Sequence, residues 1–423
     1  MKKFNYYSQI FPLILFLLFS FSAAHITYSQ NGWFKIEIDP TYNIKSCYFI
    51  NPETGFAAGE NGLIIKTTNG GNNWSKQSPE FNSTIYSIFF LNANTCYAAG
   101  DYYSFLKTTN SGVSWSDTSF GSMPMQAIWF TDANTGYLAG FAGKVMKTTN
   151  AGSTWVIQNS GSGTQFYHMH FVNSTTGYIS GKYHTVIKTT NGGNNWIAIP
   201  PPVFSHYQTI FFINAATGYV AGALGKLFKT ENGGINWTQQ DPQTANWIES
   251  IYFINENTGF LVADYGDLSK TTNGGATWTK TTLNTTGDFM KIFFANSTTG
   301  YIMGLNGTMF KTTNGGNPIG IKPISSEVPA EYKLYQNYPN PFNPSTKIKF
   351  AIGTPLPPFG KGGIVTLKIF DVIGREISTL VNEQLLPGTY EVEWNATDYP
   401  SGVYYCVLRS GDFADTKKLV LLK

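Results

Sequence analysis

The residues of this chain with the greatest chemical potential are few. Glu249, Asp264 and Asp267 lie close together in sequence. Two carboxylates at a suitable separation can hydrolyse a glycosidic bond, one as acid and the other as base or nucleophile. His168, His170 and His184 are the nearest approach to a metal set. The first two alternate about Met169 and share one strand face, but no Cys or carboxylate completes a plausible coordination shell. No metal and no cofactor is expected. Cys47, Cys96 and Cys406 are the only cysteines, too few for a disulfide framework. Cys47 falls in a column otherwise filled by Ile and Met, which reads as a small buried apolar residue.

What must position these residues is a repeat. Lys66-Thr67-Thr68-Asn69-Gly70-Gly71-Asn72-Asn73-Trp74 recurs in close copies that end at Trp115, Trp155, Trp196, Trp237 and Trp278. Successive tryptophans are 41, 40, 41, 41 and 41 residues apart, and Trp33 stands 41 before the first. A seventh copy, Lys311 to Gly316, stops before its tryptophan. A period near 40 with one aromatic per unit signals a propeller or an array. Each unit reads as four short strands with hairpin turns of the type Glu60-Asn61-Gly62. Four strands make one blade, so the expectation is an all-β, seven-bladed propeller over 30–316. The last unit lacks a fourth strand, and Asn31 to Lys35 is expected to supply it from the other end, leaving no open edge.

The columns set the register. The first strand of every unit carries a Phe, from Phe49 to Phe294, preceded by Tyr48, Phe89, Trp129, His170, Phe211, Tyr252 and Phe293. A strand apolar on both faces belongs at the inside of a blade; His170 is read as a core histidine there. In the Thr-x-Asn-x-Gly-x-x-Trp segment, Thr and Asn fasten a tight turn, Gly supplies positive φ, and Trp packs between blades. Recognition then falls to the loops, which differ between units. Two residues before the apolar core of the first strand stand Lys45, Tyr86, Gln126, Tyr167, Gln208, Glu249 and Met290, expected around the central mouth. Nearby hairpins add Asp101, Tyr102, Tyr103, Tyr183, His184, Asp264 and Tyr265. Tyr and amide side chains suit contact with sugar or peptide.

The turn segment resembles the Asp box of sialidase-like propellers, with Asn where Asp is usual. Sialidase chemistry on that resemblance needs an arginine cluster, and the only arginines are Arg375 and Arg409 near the C-terminus. Hydrolysis of a neutral polysaccharide, as in the xyloglucanase propellers, remains the alternative through Glu249 and Asp264; those enzymes face two propellers across a cleft. The whole 31–316 segment is similar to the photosystem II assembly factor family of seven-bladed propellers, through the pattern seen at Thr135 to Trp155. That resemblance implies a protein-binding role using basic residues, arginines included. This segment has no arginine, and its 15 Lys balance 15 Asp plus Glu, so neither that partner nor nucleic acid is expected.

The two ends concern export. Lys2 and Lys3 precede an apolar run over 10–21 and the small residues Ser22, Ala23 and Ala24, the plan of a signal peptide over 1–29. The run is too short to span a bilayer as an anchor. Residues 317–331 read as a Pro-rich linker. Residues 332–423 alternate in strands expected at 345–352, 364–371, 389–395, 402–409 and 416–422, as in a small immunoglobulin-like β-sandwich. Tyr335 to Pro344, Phe370 to Glu376, Pro387-Gly388-Thr389-Tyr390, Ser401-Gly402-Val403-Tyr404 and Lys417 to Lys423 resemble the type A sorting domain of type IX secretion in the Bacteroidetes. That resemblance implies passage through the periplasm and recognition of the tail by an outer-membrane translocon. The expected protein is secreted or surface-displayed and non-catalytic. It binds an extracellular protein or glycan through its loop face, without a transmembrane anchor in its mature form.

Overall fold

The structure, a computed structural model, describes residues 26–30, 32–77, 82–101, 105–117, 123–285, 287–316, 322–325, 329–353, 364–385 and 387–423. The expected signal peptide up to residue 25, together with Tyr102 and Tyr103, lies outside the described residues. In the first blade Ile44–Phe49, Gly55–Gly59, Ile64–Thr67 and Ser75–Gln77 pair antiparallel in that order. Blades 2 to 7 begin with Ile85–Phe90, Met125–Phe130, Phe166–Phe171, Thr209–Phe212, Ile248–Phe253 and Phe289–Phe294. Burial falls outward along each blade. Second strands such as Gly136–Gly140 are buried at every position, whereas fourth strands such as Val156–Gln158 face solvent.

The seventh blade takes its fourth strand from the other end of the chain. Trp33–Ile36 pairs with Met309–Thr312, and Ile26–Gln30 adds a fifth strand outside it. Trp33 is fully buried and stands edge-on to Phe260 and Phe294. First and last blades touch directly: Phe49 stacks on Tyr301 at 3.6 Å, and the Tyr301 hydroxyl lies within donating distance of the Pro52 and Gly70 carbonyls.

The turn segment works as a local clamp. Thr67 Oγ1 accepts from Gly71 N at 2.9 Å and itself donates to Asn69 Oδ1, which also accepts from Asn73 N. These side-chain bonds hold backbone groups that a tight turn leaves unpaired. The same triad recurs at Thr148-Asn150 and Thr271-Asn273. Five box tryptophans then stand edge-on to the Phe of their own blade's first strand, as Trp74 does to Phe49 and Trp278 to Phe253.

The lysine that opens the segment reaches the next blade. Lys147 Nζ donates to Gly192 O at 2.7 Å, Lys188 to Gly233 O, and Lys311 returns to Gly70 O of the first blade at 2.7 Å. Its neighbour in the second strand, Tyr137, donates to the same Gly192 carbonyl at 2.8 Å. These lysines are inter-blade staples, which accounts for the recurring basic column.

The C-terminal part is two facing four-stranded sheets. One is ordered Lys322–Ser325, Gly388–Asn395, Ser345–Ile352, Lys333–Leu334, and the other Glu376–Gln384, Ile364–Phe370, Gly402–Ser410, Phe413–Leu421. Leu334, Phe350, Leu367, Trp394 and Leu408 fill the space between them. Two elements differ from expectation. Lys322–Ser325, placed in the linker by its prolines, is an edge strand, where proline is tolerated. Glu376–Gln384 was not expected because two register shifts break its alternation.

Candidate functional site

The first strand of a blade has only one hydrogen-bonded neighbour, so its inner edge must be satisfied by other means. Side chains of the preceding blade do this. Ser46 Oγ accepts from Ile88 N at 3.2 Å and Ser87 Oγ from Ile128 N at 3.4 Å. His168 takes the same position for Ile210, with Nδ1 at 3.0 Å from its carbonyl. The paired strands also slip by one residue just before this layer, between Ile44 and Ser46 and at the equivalent places in five other blades. The residue skipped by each slip is one of those expected at the mouth: Lys45, Tyr86, Gln126, Tyr167, Glu249 and Met290. A bulge turns that side chain away from the regular ladder. Gln208 directly precedes Thr209–Phe212 in blade 5.

The hairpin tips lie on this same side, because each bonds the loop entering the next blade. Gly62 N donates to Ser83 O, His184 N to Ser205 O, Gly225 N to Asn246 O, and Gly307 N to Tyr42 O of the first blade. Loops from both sources therefore share one face.

Electrostatics join several candidates. Burial, and after it the Asp264 carboxylate, push Glu249 up to about 8, against a hydrogen bond from Gln208 and the charge of Lys45; Asp288 pushes the same way as Asp264. Burial and Asp288 raise Asp264 to about 6. Tyr167 is raised by burial, then by Glu249 and Tyr183. Asp288 escaped the sequence reading because it lies in a different unit from Glu249 and Asp264. Its Oδ1 accepts from Tyr265 N at 3.0 Å. Asp267 does not join the group. It is buried and paired with Lys280 at 2.7 Å. Burial raises its pKa, but the bonds from Lys280, Thr244 and Thr282 outweigh that and hold it below the usual range. Lys45 is paired with Glu60 at 3.2 Å, and the Tyr86 hydroxyl donates to Asp101 at 3.0 Å.

On blades 4 to 6 the same face carries exposed apolar side chains. Tyr183, Leu224 and Tyr265 occupy the hairpin tips and are 53, 77 and 74% exposed. All three have positive φ, where blades 1, 3 and 7 place Asn61, Ala142 and Asn306. A non-glycine residue there costs roughly 1–2 kcal/mol, a cost the blades share. Phe204, 70% exposed, stacks against His184, whose Nδ1 lies 2.9 Å from Val203 O. His206 lies between Tyr183 and Trp247, near-parallel to the indole at 5.8 Å. Phe204, Leu224, His206 and Trp247 were not singled out in the sequence; for Phe204 and His206 the signal was an apolar, Pro-rich loop at 200–207 where other units have polar ones of similar length.

Below the mouth the channel narrows at a collar. Tyr48, Phe89, Trp129, His170, Phe211, Tyr252 and Phe293 contact one another in succession and Phe293 returns to Tyr48, with centroids 4.7 to 5.7 Å apart. His170 is thus a collar member, and burial followed by the charge of Lys291 lowers its pKa to about 3. Among the described residues no group of three or more His, Cys, Asp or Glu is arranged to hold a metal ion. The three cysteines are free and buried.

Seven antiparallel sheets of four or five strands, fastened by Thr-x-Asn-x-Gly turns and with their variability gathered in the loops, define a protein of the β-propeller class. The profile of the family described as "Photosynthesis system II assembly factor YCF48" matches residues 26–124, 121–240 and 236–338, and the chain belongs to that family. A second profile, "Secretion system C-terminal sorting domain", matches 336–422. No curated protein sequence matches the chain. Among solved structures, one described as YCF48 bound to D1 peptide is 19% identical, with a TM-score of 0.60 over 69% of this chain and 100% of its own. YCF48 from Cyanidioschyzon merolae is 17% identical, with a TM-score of 0.59 over 66% of this chain and 98% of its own. The WD40 repeats of RRP9 give 10% identity and a TM-score of 0.58 over 69% and 99%. These likenesses establish the fold.

The sorting domain marks the protein for type IX secretion to the cell surface or beyond. Its Tyr335 to Pro344 motif is fixed to the last strand: Phe342 N donates to Val420 O, Leu422 N to Phe342 O, and Val420 N to Asn340 Oδ1. Tyr338 within the motif, and Val372 and Ile373 in the turn that follows Ile364–Phe370, stand exposed. Among the described residues no helix is long and apolar enough to cross a membrane.

Proposed function

We propose that this protein is an exported, non-catalytic propeller that binds an extracellular protein or glycan on the loop face of blades 4 to 6. The observation that carries the reading is the set of Tyr183, Leu224 and Tyr265 at strained, solvent-exposed hairpin tips, beside Phe204 and the Glu249-Asp264-Asp288 group. The turn conformation is common to the blades, since Asn61, Ala142 and Asn306 adopt it as well; what sets blades 4 to 6 apart is a large apolar side chain held exposed at each tip, which points to a contact made with something else. Aromatic anchors with polar groups nearby suit either a peptide or a sugar face. A related propeller is described as peptide-bound, which favours a protein segment. The test compares purified propeller with a Tyr183→Ser/Phe204→Ser/Tyr265→Ser variant in glycan-array binding and in cross-linked pull-down from envelope fractions. A ligand should be retained by the parent and lost by the variant; equal binding by both removes the loop face of blades 4 to 6 from the account.

One observation favours a second reading, the hydrolysis of a neutral polysaccharide. A carboxyl held protonated near neutral pH next to ionised neighbours is what a general acid requires, and Glu249 has that environment. Sugar release abolished by Glu249→Gln and by Asp264→Asn would establish it in place of the binding reading.

A further inference from the structure

The layer between the mouth and the collar holds Ser46, Ser87, Ala127, His168, Thr209, Ser250 and Lys291 at equivalent positions of successive blades. Five are small, and Lys291 is the exception that nothing in the framework requires. Its Nζ crosses from blade 7 to lie 3.4 Å from His168 Nε2 in blade 4. His168 Nδ1 lies 3.0 Å from the Ile210 carbonyl and 3.3 Å from the Ile210 amide; the tautomer protonated at Nδ1, which donates across the shorter contact, leaves Nε2 free to accept from the ammonium. The pair borders a cavity of about 330 Å³, and none of the residues lining it is Asp or Glu. Cys47 supplies no counter-charge, since burial raises its thiol to about 12. In the same layer the buried hydroxyls of Thr209 and Ser250 have no partner within the protein. A cation in an apolar cavity without an opposing charge is costly, and burial accordingly lowers the Lys291 pKa; an anion joining it would restore the charged form. The other walls are mostly apolar, with the Phe89, Trp129, Phe211 and Phe293 rings, Ile128 and Ile251 beside the Tyr48 and Tyr252 rings, His170 and the small Ser46 and Ser87. Such walls favour an apolar body, and this volume is at the small end of ligand pockets.

We propose that the channel binds a small molecule bearing a single carboxylate on an apolar body, with Lys291 donating to the carboxylate and the collar aromatics enclosing the rest. His168 is the positioning residue that aims the ammonium. This site is distinct from the loop-face patch and does not depend on it.

The test uses the full chain with sodium benzoate as probe, benzamide as its neutral isostere and inorganic phosphate as an anion without an apolar body. Benzoate should raise the melting temperature in a dose-dependent way at concentrations where benzamide and phosphate do not. Lys291→Met should keep its cooperative melt and weaken benzoate binding by roughly tenfold or more, the loss expected for one charged hydrogen bond. A crystal soaked with 4-bromobenzoate should show anomalous density beside Lys291, a readout that needs no variant to fold. The proposal is overturned by no response to benzoate, by an equal response to benzamide, by phosphate acting alone, by an unchanged affinity in Lys291→Met, or by bromine density found only outside the channel.

Discussion

Glu249 is a carboxyl whose surroundings favour its neutral form. Its pKa in the fold, about 8, lies above the value of the unfolded chain, so the folded state holds a proton that the unfolded state has already released. Stability from this group is therefore present below the unfolded pKa and is lost as pH rises toward 8. Asp264, at about 6, adds a loss in the same direction at lower pH. Melting temperature should fall between pH 5 and pH 8 in the parent and fall less in Glu249→Gln; parallel curves would show that the group titrates normally. Glycine tests packing at the same scale. A Cβ at Gly218 would lie 2.4 Å from the Phe212 ring, as at the matching glycine of five other blades. Blade 2 carries Cys96 there instead, opposite Phe90, so the ring can be displaced at some cost. Gly218→Val should lower stability by about 1–3 kcal/mol, the usual range for overpacking, read as a shift in urea midpoint.

Blades are joined by devices that each element presents to the next. Lys147, with Tyr137, fastens blade 3 to the turn segment of blade 4 through one carbonyl, Gly192 O. Lys147→Met removes a partly buried, charged donor together with the ammonium that lies 5.6 Å over the Tyr137 ring. The expected loss is roughly 1–2 kcal/mol, measured by chemical denaturation, and Tyr137 still satisfies the carbonyl. A larger loss would mean that the staples act cooperatively around the blades. The fourth strands are a different kind of element. They are exposed and short, and in blade 7 the position is filled from a distant part of the chain.

For the molecule as a whole, that borrowed strand matters most. A chain lacking residues 1–36 should lose Trp33 from between Phe260 and Phe294 and expose the edge of Met309–Thr312. It should elute as aggregate and melt without a cooperative transition; a monomer melting like the parent would show that the strand is dispensable. The two ends of the protein also divide its tasks. Removing 336–422 from a chain expressed in a type IX-secreting host should leave the propeller folded in the periplasm, detected by fractionation. Surface display of that truncated chain would count against the tail as the export determinant.

The blade plan was legible in the amino-acid order because each 41-residue unit meets the same packing problem, so Phe49, Thr67, Asn69 and Trp74 recur wherever it is solved. The sorting tail was legible through Tyr335 to Pro344 and the terminal lysine-leucine strand. The skipped residues Lys45, Tyr86, Gln126, Tyr167 and Glu249 could be picked out as a column, but a column has no distances. Asp288 beside Glu249 and Asp264, Lys291 against His168, and the aromatic collar arise only when equivalent positions of separate blades converge on one axis. Repetition in a chain encodes what neighbours within a unit do for each other; what faces what across a channel follows from how many units are stacked and how they turn.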